Sequence, residues 1–131
     1  MSGLDLTHQV LVDDHVAERL RATGTAVGTF FAELVDAYCD ALERLTGRRE
    51  GALHDPCAVL AITHPHLFEF RPRRVVVELD GTHTRGMTVV DERFDPPAGS
   101  HGVVEVGYVA DGPAVLDLVV DAVREPSAAD R

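Results

Sequence analysis

The apolar residues of this chain repeat with a helical period up to Pro65, with a strand period from Arg74 to Val109 and with a helical period again after Asp111, so the fold must house both kinds of element. The strongest helical stretch is Thr25 to Leu45, where Val27, Phe30, Phe31, Leu34, Tyr38, Ala41, Leu42 and Leu45 recur at helical spacing and Gly47 closes the run. A stripe of this kind ordinarily faces a core, which is the expectation here. Before it, Asp13 and Asp14 lead into Val16, Ala17 and Leu20 with Gly24 behind, a capped short helix. Leu4 to Thr7 alternates and reads as a strand end or a loop. Gly47 to Leu53 reads as a loop. Asp55-Pro56 then reads as N-cap and first helical position of a buried helix, which His64-Pro65 ends.

From Arg74, Val75 to Leu79 runs into Asp80-Gly81, a hairpin-turn signal, and Thr88 to Val90 returns. Phe94 to His101 is loop, Val103 to Val109 a third strand, and Asp111 caps a last helix carrying Val115, Leu118, Val119 and Val123. The segment 126–131 is expected to be a frayed, disordered tail, with residues 1–125 forming one α/β unit.

The 131 residues are 45% apolar, enough for a core, but they include no tryptophan, so Val, Leu and Ala must fill most of it. A net charge of −10 repels phosphate backbones, and nucleic acid is not an expected partner. Arg71, Arg73 and Arg74 form one dense basic spot, which reads as a solvated strand edge. No apolar run of about 18 residues is present to span a membrane, and the first residues lack a signal-peptide pattern, so the expected compartment is the cytoplasm. Cys39 and Cys57 match no C-x-x-C pair and read as buried free thiols.

Few residues invite chemistry. A carboxylate and an imidazole at a helix start, His54-Asp55, serve either as local capping groups or as a metal-ligating oxygen beside an acid or base. His64 and His66 would need further ligands for zinc, and their spacing fits no zinc module. Gly81 to Gly86 with Arg85 reads as a tight turn. No G-x-S-x-G elbow occurs, and the three serines lie in predicted loops or tails, which excludes a serine hydrolase.

The stretch Gly51-Ala52-Leu53-His54-Asp55-Pro56-Cys57-Ala58-Val59 resembles the inosine-uridine type nucleoside hydrolase family, with its late G-x-x-H-D-P-x-A segment. Val75-Val76-Val77-Glu78-Leu79 and Thr84-Arg85-Gly86-Met87-Thr88-Val89-Val90-Asp91 are similar to its V-x-V-E and T-R-G-x-T-x-x-D strands, and Leu4-Asp5-Leu6-Thr7 to its L-D-V-T segment. The resemblance runs from about Leu4 to Val123 and implies the C-terminal portion of that α/β fold: helices, a β-hairpin, a further strand and a terminal helix. It implies cleavage of the N-glycosidic bond of a ribonucleoside around a bound Ca²⁺. Asp55 would be a metal ligand and His54 the acid that protonates the leaving base. Tyr38, on the long helix, would be a weaker contact to the base. Purine or pyrimidine salvage is the family expectation. The family's opening D-x-D-x-x-x-D-D cluster has no counterpart. If Asp13-Asp14 is laid over its end, Thr7 and Gln9 fall where carboxylates belong. The expectation is therefore a portion that is inactive alone and that self-associates or seeks a partner carrying the missing carboxylates. The alternative is a non-catalytic interaction or oligomerisation module.

Overall fold

The computed structural model describes residues 1–93, 95–97 and 99–124. The elements run α1 (Leu4–Thr7), β1 (Leu11–Val12), α2 (Asp14–Arg21), α3 (Ala26–Thr46), β2 (Gly51–Ala52), α4 (Asp55–Thr63), a 3₁₀ turn (Pro65–Leu67), β3 (Phe68–Val77), β4 (Thr88–Asp91), β5 (Val103–Ala110) and α5 (Gly112–Arg124). The expected tail at 126–131 lies outside the described residues. Helices precede an antiparallel sheet of order β4-β3-β5, and a terminal helix follows. No helix among the described residues is long and apolar enough to cross a membrane.

The caps read at Asp13 and Asp111 form, the one read at Asp55 does not, and Thr25 supplies a further one. The Asp13 carboxylate accepts from the Val16 amide at 3.0 Å, the Thr25 hydroxyl from Gly28 at 2.9 Å, and the Asp111 carboxylate from Ala114 at 3.1 Å. Gly47 ends α3 in the left-handed region at φ 76°, where a side chain would be strained.

The large apolar stripe of α3 departs from expectation. Its buried face is made of Gly28, Ala32 and Cys39, with Val35 half-buried, whereas Phe30 is 57% and Leu45 80% exposed. The small residues explain this. They let α3 press against α2, and at Gly28 a β-carbon would fall 2.5 Å from the Leu20 carbonyl oxygen. The small face is therefore the one that can approach closely, and Val27, Phe31, Leu34 and Tyr38 turn outward.

Other segments differ from the reading above as well. Leu4 to Thr7 is a single helical turn. Gly51-Ala52, read as loop, pairs antiparallel with Leu11-Val12. β3 begins six residues earlier than Arg74, at Phe68, and pairs with β5 across a bulge at Glu69/Phe70. Pro72 is tolerated because β4 pairs only with Arg74 to Val77, leaving the other flank of Pro72 without a strand. Asp80-Gly81 is not a two-residue hairpin turn. β3 stops at Val77 and β4 starts at Thr88, and in between the Glu78 carboxylate accepts from the amides of Asp80 and Gly81.

Arg73 corrects the solvated-edge reading of the basic spot. It is only 8% exposed, donates to Glu92 at 3.1 Å and to Asp95 at 2.6 Å, and lies over the Tyr108 ring. Arg71 also covers that ring, 5.0 Å from its centroid. The basic spot thus ties β3 to β5 and to the chain after β4.

Two small cores fill the interior. One joins Val12, Val16, Ala17, Leu20, Ala32, Cys39 and Val120; the other joins Leu6, Val10, Cys57, Phe68 and Val115. Leu53 and Leu116 pack against both. Cys39 and Cys57 are buried free thiols, as expected, and burial raises the pKa of each.

Leu6→Ala should cost about 2–5 kcal/mol in urea denaturation, because Leu6 is fully buried. Leu45→Ala should stay within about 0.5 kcal/mol. The Glu92 carboxyl is held below its ordinary range, first by the Tyr108 hydroxyl and then by Arg73. A depressed carboxyl stabilises the fold above its unfolded pKa, and that contribution is lost as the pH falls through the folded value. Glu92→Gln should therefore lose melting temperature at neutral pH and flatten its decline below about pH 4.5.

Candidate functional site

The candidate residues meet at the start of α4. β2 delivers the chain to Leu53, whose amide donates to the Val10 carbonyl at 2.9 Å and whose own carbonyl accepts from Cys57 Sγ at 2.9 Å. Leu53 is thus fixed from both sides, and His54 and Asp55 follow directly. The helix starts at Asp55 itself, with Pro56 second, so the N-cap position falls on His54 and not on Asp55. His54 makes no capping bond. The Asp55 carboxylate stands in the first turn, where the helix dipole favours negative charge.

His54 is half-buried and turns back toward α1. Its Nδ1 lies 2.9 Å from the Thr7 hydroxyl, and its ring centroid 5.7 Å from that of His8. Thr7 is missed when the residues are read for chemistry, because it is neutral and 47 positions away. It enters the sequence reading only through the family resemblance, in the L-D-L-T segment and as a position where a carboxylate is missing.

Asp55 faces elsewhere. It lines an open groove of about 570 Å³ between α3, α4 and α5, whose walls include Phe31, Val35, Val59, Leu60, Leu118 and Val119. Among the described residues lining it, Asp55 is the only charged one. Tyr38 is placed apart from this pair in its bonding: its hydroxyl donates to the Ala52 carbonyl at 3.3 Å, and its ring occupies the space a side chain at Gly51 would need. It seats β2 on α3 while part of it stays exposed.

The other candidates lie outside this cluster. The His64 and His66 rings meet edge-on at 6.0 Å, and His64 Nδ1 bonds the Thr63 hydroxyl. Asp13 is used in capping, and Asp14 pairs with Arg49. Ca²⁺ takes 6–8 oxygens. Among the described residues, no group of three or more His, Cys, Asp or Glu side chains is placed to hold a metal. Asp55 alone does not make a calcium site, so no step can be derived through one from these residues.

Comparison with known proteins assigns the arrangement to a family. The family model for inosine-uridine preferring nucleoside hydrolases matches residues 1–117. The chain is 42% identical over 95 residues to the pyrimidine-specific ribonucleoside hydrolase RihA of Citrobacter koseri, covering 72% of this chain and 30% of that one. It is 37% identical over 124 residues to the inosine-uridine preferring nucleoside hydrolase of Leishmania major, covering 95% of this chain and 38% of that one. Among solved structures, the purine-preferring ribonucleoside hydrolase from Gardnerella vaginalis superposes with a TM-score of 0.79 at 30% identity, over 95% of this chain and 39% of that one. The plant nucleoside hydrolase PpNRh1 shares the fold, with a TM-score of 0.79 at 22% identity. The chain thus spans two-fifths or less of the length of these relatives. Matched along most of its own length in sequence and in fold, the chain belongs to the inosine-uridine preferring nucleoside hydrolase family, of whose α/β fold it forms a part.

Proposed function

We propose that this chain supplies the His54 and Asp55 side of a site that hydrolyses the N-glycosidic bond of ribonucleosides, giving ribose and free base. The observation that carries the reading is their placement. His54 and Asp55 stand together at the start of α4 on a backbone pinned at Leu53, and Asp55 is the one charge on an otherwise apolar groove. A carboxylate at an apolar rim is well placed to meet a cation held from the other side.

The chemistry assigned to His54 is proton donation. The transition state of glycosyl cleavage is oxocarbenium-like, and the departing nitrogen base takes the bonding electrons. A proton delivered to that base as the bond breaks lets it leave neutral. A positioned acid of this kind contributes roughly 10²–10⁴-fold, and an imidazole can supply the proton near neutral pH. Asp55 is proposed as one ligand of the Ca²⁺ implied by the family, with the remaining oxygens coming from outside the described residues. Tyr38 is a secondary contact in this reading, through the part of its ring left exposed.

A second reading is favoured by the outward stripe on α3. With Val27, Phe30, Phe31, Leu34 and Leu45 all exposed, the chain offers a continuous apolar face suited to association, and it could serve as an interaction or oligomerisation module without turnover.

Both readings predict a chain that is inactive by itself, and each has its own test. The purified chain with Ca²⁺ and a chromogenic riboside should show no hydrolysis, because one carboxylate leaves the metal unheld. Turnover that His54→Ala abolishes would show instead that the chain is a complete catalyst. In size-exclusion chromatography the chain should elute as an assembly that dissociates on Phe31→Glu/Leu34→Glu. A dilute monomer with a sharp cooperative melt would exclude the association module.

A further inference from the structure

Thr7 is 3% exposed, yet its hydroxyl reaches a ring that belongs to the proposed site. The hydroxyl has two neighbours. The Leu4 carbonyl lies 3.3 Å away and can only accept, and Nδ1 of His54 lies at 2.9 Å. A hydroxyl has one hydrogen to give and two lone pairs. With its hydrogen on the Leu4 carbonyl, Thr7 meets the imidazole as an acceptor, and Nδ1 must then carry the ring hydrogen.

Both partners in this contact are held in place, and Val10 links them, its amide donating to the Thr7 carbonyl at 3.1 Å and its carbonyl accepting from Leu53 at 2.9 Å. On the Thr7 side, α1 is clamped to β5 by one side chain: Gln9 Nε2 donates to the carbonyls of Asp5 at 2.9 Å and Tyr108 at 2.8 Å, and Gln9 Oε1 accepts from the Ala110 amide at 3.1 Å. Leu6 is fully buried over Gly107, where a β-carbon would fall 2.7 Å from Leu6 Cδ2. On the His54 side, the backbone is pinned at Leu53 by Val10 and Cys57. A contact whose two ends are fixed by different elements sets the orientation of the ring between them.

We infer that Thr7 is a positioning residue that holds His54 with its hydrogen on Nδ1, so that Nε2 is the nitrogen presented to substrate. The inference rests on the reading of His54 as the acid. In the neutral ring Nε2 then carries a lone pair, and in the protonated ring it carries the hydrogen that is transferred. After transfer the Nδ1 hydrogen stays on the ring, still donated to the Thr7 oxygen, so the ring returns to the same tautomer without rotating. Which ring nitrogen holds the hydrogen follows from what its neighbour can accept.

The test is a long-range nitrogen–proton NMR correlation on the full ¹⁵N-labelled chain at a pH where the ring is neutral, with the His54 signals assigned by their loss in His54→Gln. The expected pattern is a pyrrole-type Nδ1 and a pyridine-type Nε2 in the native chain and in Thr7→Ser, with the two types exchanged or averaged in Thr7→Val and Thr7→Ala. A native chain with the hydrogen on Nε2 overturns the inference, whether or not either truncated variant folds. So does a pattern unchanged in a folded Thr7→Val or Thr7→Ala. Because the readout needs no turnover, the two readings fail separately. If His54 proves dispensable for hydrolysis but its tautomer depends on Thr7, only the acid role falls. If His54 is required and its tautomer ignores Thr7, only the positioning role falls.

Discussion

Leu53 is the residue on which the arrangement depends. It packs against both cores, its amide is held by Val10, and its carbonyl is held by Cys57. The α2–α3 core and the sheet-side core are each small, and among the described residues only Leu53 and Leu116 pack on both. The two residues of chemical interest come directly after this junction. Their position is therefore set by packing on both sides and not by a flexible loop, which is what a site needs if its groups are to be held in register.

The same packing leaves a surface that is poorly suited to water. α3 presents its small residues to α2, so its large ones face outward, and the groove between α3, α4 and α5 is apolar except for Asp55. Val77 and Leu79 at the end of β3 are exposed as well. Contiguous exposed apolar surface on this scale marks an interaction face. One carboxylate is too few for calcium. The outward face of α3 and the groove that Asp55 lines share Val27 and Phe31.

How much of this could be read from residues depended on whether the signal was local. The caps at Asp13 and Asp111 are visible because a cap is an interaction between residues three apart. The helix ending at His64-Pro65 and the strands β4 and β5 follow from local period and turn chemistry. The outward turn of the α3 stripe was not legible, because periodicity marks an apolar face but not what lies opposite it. The early start of β3 was hidden by Pro72, acceptable only because β4 is short. The burial of Arg73 depended on Glu92 and Asp95, about twenty residues away. In the candidate site, His54 and Asp55 were legible through a motif, whereas the contact of Thr7 with His54 entered only through folding.

The most direct test of the central claim is complementation. The chain would be combined with the portion of the Citrobacter koseri hydrolase that lies outside the matched region, and riboside hydrolysis measured with Ca²⁺ present. Hydrolysis is expected from the pair and from neither part alone, with His54→Ala lowering kcat by roughly 10²–10⁴-fold. A pair that hydrolyses the riboside equally well with His54→Ala or Asp55→Ala would contradict that claim.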